Sequence, residues 1–424
     1  MSGETIARPH SATDIRINAN RLWTSLGVMG AIAPGKKGGS NRLALTDDDK
    51  VARDLLSKWC EEMGYEVKID SVGNMFARRA GTDDSLPPVL FGSHLDTQPF
   101  AGRYDGVLGV LAGLEVLRTL HDKGIRTRHP VELVNWTNEE GARFSPGLIG
   151  SAVFADLQTE ENARASRDSS GMTFGAELDR IGYHGGIPAR GGHPVRAYFE
   201  LHIEQGPVLE AEGIPIGIVT HAQGVRWVDV TFTGVEGHAG TMPMTGRRDA
   251  LIGAARMIDR VGDIAIGHAP HAVATVGDLS IMPGSRNVVP GAVTLAIDMR
   301  HPSTAVLDEM MFKLKTSATL IAAELELKLD IREVVAIPPL AFADEAVRAI
   351  RRAADALNLD QRDIVSGALH DACNMARIVP TGMIFCPCVD GISHNEAEAI
   401  RPEWAAAGAD VLLQAVIEVA ELAA

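Results

Sequence analysis

Cysteine is scarce in this chain: four in 424 residues (Cys60, Cys373, Cys386 and Cys388), too few and too scattered for a disulfide framework. Cys386 and Cys388 alternate through FCPCV, the pattern of a core strand and not of a metal or redox pair. Long apolar runs are lacking too. No stretch approaches the roughly 18–20 residues of a membrane span, and the opening MSGETIARPHSATDIRIN has no apolar signal core. Positive charge is in deficit, 40 Lys and Arg against 55 Asp and Glu, leaving a formal charge of −15. That balance argues against nucleic acid or an anionic membrane as partner. A cytoplasmic enzyme is the expectation these absences leave. A chain of 424 residues exceeds what one hydrophobic core usually serves, so two domains are expected.

What is present is a set of acidic residues and histidines in particular places. His94, Asp105, Glu140, His202 and His394 lie in FGSHLDTQPFAGRYDGVLG, NWTNEEGARF, YFELHIEQGP and DGISHNEAE. In each segment a short apolar run of strand character stops at, or just before, a His or an acidic residue. Three imidazoles and at least two carboxylates are what a pair of divalent cations sharing one carboxylate would need. Such mixed N/O donors suit Zn²⁺, Mn²⁺, Co²⁺ or Ni²⁺ better than Ca²⁺ or Mg²⁺. The pattern predicts a two-metal hydrolase.

The organisation agrees with that reading. DDDKVARDLLSKWCEEMG reads as a helix, YEVKID, NMFARR, PPVLFGSH and VELVNW as strands, and VLGVLAGLEVLRTLHDKG as a helix buried on nearly all sides. Strand, helix, strand at this spacing is a βαβ unit and implies a parallel or mixed sheet. The candidate ligands then fall beyond the carboxyl ends of the strands, where open α/β sheets place their active sites. The middle of the chain reads as β-α-β-β-α-β, the ferredoxin-like order: WVDVTFTG, a helix over 247–262, AVATVGDLSIM, GAVTLAIDMR, a helix over 303–323, and ELKLDIREV. The expected fold class is therefore α/β. A discontinuous di-metal catalytic domain (1–221 and 336–424) carries an inserted α+β lid and dimerisation domain (222–335). Residues 160–195 look like a surface excursion.

Each residue has a blander reading as well. A His ending a strand is usually structural when alone, but Asp96 follows His94 by two and can accept the imidazole's other N–H, fixing its tautomer. Asp105 alone reads as a helix N-cap, a role that can coexist with ligation. Glu139 and Glu140 are neighbours in extended chain and point in opposite directions. Glu140 is assigned to metal and Glu139 to general base, taking a proton from water and passing it to the leaving nitrogen. His238, with Gly237 beside it and Gly240 two residues on, is expected at a loop tip of the insert, suited to polarising a carbonyl oxygen. Asn287 and Arg300 add an amide and a guanidinium, and arginine is the natural partner of a substrate carboxylate.

Together HLDT…DG, NEEG, HIEQGPVLE, GHAGTMPM, RNVVPG, the His370–Asp371–Ala372 triplet and ISHNEAE resemble the hydantoinase/carbamoylase branch of the M20 metallopeptidase-like amidohydrolases. That branch includes N-carbamoyl-L-amino acid hydrolases, β-ureidopropionases, allantoate amidohydrolases and ureidoglycolate amidohydrolases. The resemblance runs from residue 15 to the C-terminus, and seven motifs in one order are highly specific. FCPC departs from the FVP-type run common before the last His, which should alter packing and not ligation. The resemblance implies that His94 and His202 hold one ion, Glu140 and His394 the other, and that Asp105 bridges. It implies Glu139 as base, with His238, Asn287 and Arg300 binding substrate from the lid and Gln205 and His370 from the catalytic domain. It also implies a homodimer through the lid. The expected reaction is hydrolysis of the linear C–N bond of an N-carbamoyl (ureido) amino acid to amino acid, CO₂ and ammonia. Allantoate or ureidoglycolate hydrolysis is the alternative on the same machinery, and a dipeptidase or aminoacylase a more distant one. A binding protein without catalysis is disfavoured by the intact Glu139.

Overall fold

The computed structural model describes residues 15–423; the reading of residues 1–14 as free of a signal core lies outside them. Along the chain come β1 (Val67–Ile69), β2 (Met75–Arg79), β3 (Val89–His94), β4 (Val131–Trp136), β5 (Ala197–Ile203) and β6 (Ile216–Ala222). They are followed by β7 (Gly224–Thr233), β8 (Gly237–His238), β9 (Val273–Met282), β10 (Val288–Val289), β11 (Ala292–His301), β12 (Lys328–Ile337) and β13 (Leu340–Ala341). The last two are β14 (Gln361–Ser366) and β15 (Thr381–Cys386). Contacts divide the chain into two compact units, one running to Thr220 and resuming at Phe342, the other His221–Ala341.

The first unit is built on a mixed sheet of order β1-β2-β4-β3-β5-β15-β6, with β14 also beside β6. Its four central strands, β4, β3, β5 and β15, run parallel. Every residue of these strands is buried, as expected where helices cover both faces of a parallel sheet. The crossover from β3 to β4 is the helix Val107–Asp122, buried on almost its whole circumference. The helix Asp47–Glu61 starts where Thr46 Oγ1 accepts the Asp49 N–H and three aspartates occupy its first turn, a favourable end for negative charge.

Residues 160–195 are more than a surface excursion. They form the helices Glu160–Ala165 and Phe174–Arg180, each capped by a threonine side chain. Ala163, Phe174, Leu178, Ile181, Tyr183 and Ala189 go into the core of this unit. The apolar residues are few among polar ones, so composition hid a segment whose capped helices aim them inward. All four cysteines are buried and unpaired. No described helix is long and apolar enough to cross a membrane.

The second unit is a four-stranded antiparallel sheet of order β12-β7-β11-β9. The helices Ala250–Ile266 and Thr304–Glu324 connect β7 to β9 and β11 to β12, giving β-α-β-β-α-β. Val228, Val230 and Phe232 of β7 and Val293, Leu295, Ile297 and Met299 of β11 alternate onto the helix-covered face. β8 and β10 form a separate two-stranded ribbon, and β13 pairs with the end of β6 at Ala222 and His221.

Candidate metal centre

The parallel strands deliver the polar residues to one edge. His94 is the last residue of β3 and His202 the last but one of β5. Glu139 and Glu140 follow the end of β4 at Trp136, and His394 follows the end of β15 at Cys386. Asp105 stands just ahead of the crossover helix. Asn138, Gln205 and His394 adopt left-handed backbone with φ of 56°, 56° and 53°, a conformation uncommon for non-glycine residues and frequent at functional sites.

Asp105 is the centre of the arrangement. Its Oδ1 lies 3.0 Å from His202 Nε2 and 3.6 Å from His94 Nε2, while its Oδ2 lies 3.4 Å from His394 Nε2. His394 Nε2 is in turn 3.5 Å from Glu140 Oε2. Two groups result, His94–Asp105–His202 and Asp105–Glu140–His394, each with ligand atoms within 4.8 Å of one another. Hydrogen bonding fixes which nitrogens are free. His94 Nδ1 donates to the Asp96 carbonyl and His202 Nδ1 to the Ile203 carbonyl, both at 2.9 Å. In the neutral rings each Nε2 therefore carries the lone pair on the Asp105 side, that of His94 unpartnered and that of His202 met by the Gly106 N–H at 3.1 Å. His94 Nε2 is buried with no hydrogen-bond partner. Lone pairs and carboxylate oxygens converging on the buried Asp105, with His94 and His202 buried beside it and His394 exposed, fit a cation.

The electrostatics agree. Burial pushes the Glu139 carboxyl well up, reinforced by the charges of Asp371 and Glu140. Burial and the Asp105 charge lift Glu140 to about 8, and burial lifts Asp96 to about 7. His202 rises to about 9 because the adjacent Asp105 outweighs burial, and His394 rises to about 9 through its contact with Asp105. His94 goes the other way, to about 4, since burial outweighs an Asp105 that His202 already engages. So many buried acidic groups share too little positive charge, and divalent cations would supply it.

The profile of peptidase family M20/M25/M40 matches residues 90–418. The chain belongs to that family. It is 50% identical over 407 residues to the N-carbamoyl-L-amino-acid amidohydrolase of Rhizobium meliloti, covering 96% of this chain and 98% of that protein. It is 52% identical, with a TM-score of 0.91, to the crystal structure of an amidase of the hydantoinase/carbamoylase family from Burkholderia multivorans, covering 96% of this chain and 99% of that one. A more distant relative, at 34% identity over 414 residues, is the ureidoglycolate hydrolase of Arabidopsis thaliana, covering 95% of this chain and 86% of that protein.

Two local expectations for this M20 chain need correction. The Asp96 carboxylate does not take the His94 N–H; it lies 3.9 Å from Nδ1, and the Asp96 main-chain carbonyl takes that proton instead. The carboxylate accepts the N–H groups of Glu139 and Glu140, both at 3.2 Å, and so fixes the loop carrying both glutamates. The strand ends at His94, and the main-chain carbonyl of Asp96 stands nearer to Nδ1 than the carboxylate does. Asp105 does not cap the crossover helix: the N-cap is Gly106 and no side chain caps there, because Asp105 is turned to the histidines.

Gln205 and His370 fall beside the centre. Gln205 Nε2 donates to Asp105 Oδ2 at 2.7 Å, and the His370 ring centroid is 4.4 Å from that of His202. His238, Asn287 and Arg300 belong to the His221–Ala341 unit. His238 is exposed but not at a free loop tip: it pairs with Val288 in the β8–β10 ribbon, where Ala239 N–H donates to the Asn287 carbonyl at 2.9 Å. Its Nδ1 accepts the Gly240 N–H at 3.0 Å. Arg300, near the end of β11, holds Asp298 through Nε at 3.1 and 3.2 Å and a terminal nitrogen at 2.8 Å. Sequence reasoning missed Gln98, whose main-chain and side-chain nitrogens grip the Glu140 carboxylate at 3.2 and 2.9 Å. It also missed Ser393, whose hydroxyl donates to Asp105 Oδ2 at 2.8 Å. Their proximity to His94 and His394 in sequence was the available signal.

Proposed function

We propose that the chain is a metal-dependent amidohydrolase that cleaves an N-carbamoyl (ureido) L-amino acid to the amino acid, CO₂ and ammonia. The observation that carries the metal chemistry is Asp105, with one oxygen toward His94 and His202 and the other toward His394. The substrate follows from the name of the relative at 50% identity. In this reading His94 and His202 would hold one divalent ion and Glu140 and His394 the other, with Asp105 serving both. The donor set suits Zn²⁺, Mn²⁺, Co²⁺ or Ni²⁺. Such ions, when bound, supply Lewis acidity to the ureido carbonyl and acidify water.

The chain's own residues do the rest. Glu139 takes a proton from the attacking water and delivers it to the leaving nitrogen. His238 donates a hydrogen bond to the carbonyl oxygen as charge develops on it; its Nδ1 accepts from Gly240, which leaves the proton on Nε2. Asn287 and Arg300 are assigned to the substrate carboxylate, and Gln205 and His370, beside Asp105 and His202, are assigned to substrate as well. The Gly106 N–H and the Asp96 carboxylate keep His202 and the two glutamates in place.

Ammonia release should be measured with N-carbamoyl-L-amino acids, N-carbamoyl-β-alanine, allantoate and ureidoglycolate, and free amino acid with a dipeptide. Turnover greatest on the first class supports the proposal, and turnover confined to ureidoglycolate or allantoate replaces it with the alternative. We also propose a homodimer through the His221–Ala341 unit. β9 pairs on one side only among the described residues, and Val273, Leu279 and Met282 along it are exposed. A monomeric mass by light scattering at micromolar concentration would refute that part.

A further inference from the structure

Glu398 lies far from Asp105 in sequence and next to it in space. The Glu398 carboxylate is buried, at 5% exposure. Its Oε1 accepts the main-chain N–H of Tyr104 at 2.9 Å and of Asp105 at 3.2 Å. Its Oε2 lies 3.1 Å from the Ser393 hydroxyl, whose single proton it shares with Asp105 Oδ2 at 2.8 Å. The carboxylate thus reaches Asp105 by two routes, through the backbone and through Ser393. Its seat is shaped for it: a β-carbon at Gly102 would fall 1.8 to 2.1 Å from the Glu398 carboxyl atoms. The crossover helix brings no side-chain cap of its own to this end, so the turn before it depends on an acceptor from the far end of the chain.

We propose that Glu398 is a positioning residue for Asp105. By accepting two successive N–H groups it sets where the shared carboxylate stands, and through Ser393 it sets how that carboxylate is rotated between the two metal groups. Because Ser393 immediately precedes His394, the same contact ties the second ion's imidazole to the bridge. The role is that of an acceptor: a glutamine can place its amide oxygen where Oε1 stands, while its NH₂ donates to Ser393, whose own proton is then free for Asp105. The inference rests on the reading of Asp105 as the ligand common to both ions.

The test is a Co²⁺ titration of metal-stripped full-length protein followed by visible absorption, with unfolding temperature and kcat and KM recorded alongside. Glu398→Ala is expected to weaken Co²⁺ binding about 10- to 100-fold and to alter the absorption bands, as loss of groups that orient ligands typically does. Turnover should fall more than KM rises. Glu398→Gln should restore binding and spectrum. Wild-type affinity and spectrum in Glu398→Ala, or a glutamine variant as weak as the alanine one, would overturn the proposal. Should Glu398→Ala not fold, Gly102→Ala, which displaces the carboxyl from its seat, carries the same expectation and the same refutation. Asp105→Ala separates the two readings. If it keeps both ions, the metal assignment fails; if it loses them while Glu398→Ala binds normally, only the role of Glu398 fails.

Discussion

The His94 ring lies against the backbone of Gly106, close enough that a β-carbon at residue 106 would stand 2.3 Å from ring atoms. Gly106 has φ of 66°, a region that favours glycine, and its N–H donates to His202 Nε2 at 3.1 Å. One residue without a side chain therefore sets the approach of both imidazoles. Gly106→Ala should fold, because the strain is local, but bind metal far more weakly than wild type. Metal content after dialysis against a Zn²⁺ buffer measures this. A variant that retains its full complement would show that the ring can move aside.

Glu139→Gln keeps size and hydrogen bonding and removes the proton acceptor. Turnover should fall about 10²–10⁴-fold, with metal content near wild type. Glu139 Oε2 is only 3.4 Å from His94 Nε2, so metal content has to be measured and not assumed. Loss of metal with activity per bound ion preserved would reverse the roles of Glu139 and Glu140.

Metal binding should strengthen with pH and release protons. Glu140 sits at about 8 and His202 and His394 at about 9 in the protein without metal, so ions must displace protons from them below those values. The same groups bind more protons folded than unfolded between about pH 6.5 and 9, so stability without metal falls as pH rises through that window. Asp96, raised to about 7, contributes in the same direction up to that pH. Unfolding temperatures at pH 6.5 and 9 should show the stripped protein less stable at the higher pH, with a larger gain on adding Zn²⁺. A metal-induced gain that shrinks with pH would contradict the assignment.

Arg300 tests substrate recognition. Losing a charge-assisted bidentate contact costs about 1.5–3 kcal/mol or more, roughly tenfold to over a hundredfold in kcat/KM. Arg300→Lys should be nearly as damaging as Arg300→Ala, because an ammonium cannot reproduce the planar fork. The penalty should largely vanish on a carbamoyl substrate whose carboxylate is an amide. Since Arg300 also holds Asp298, an equal loss on acid and amide would assign it to the β11 strand instead.

The order of elements was legible in the sequence because local pattern dictates it. Continuous apolar runs marked strands buried on both faces, such as VLFGSH and VELVNW, and the alternation of WVDVTFTG marked a sheet covered on one. The positions of His94, Glu139, Glu140, His202 and His394 at strand ends were legible for the same reason, since a parallel sheet gathers those ends at one edge. Which atom faces which was not. Asp96 was expected to hold the His94 ring by its carboxylate and instead holds two backbone amides across the sheet edge. Asp105 was expected as a shared ligand that could also cap the helix; it faces three imidazoles and makes no cap. Glu398 and Ser393 reach Asp105 from nearly 300 residues away, at |i−j| of 293 and 288. Hydrogen bonds depend on direction within a few tenths of an ångström, and sequence periodicity carries no such information. Hydrophobic burial needs only the right side of an element, which periodicity states outright; the partners of the buried polar groups were decided by the packing of strands from both ends of the chain.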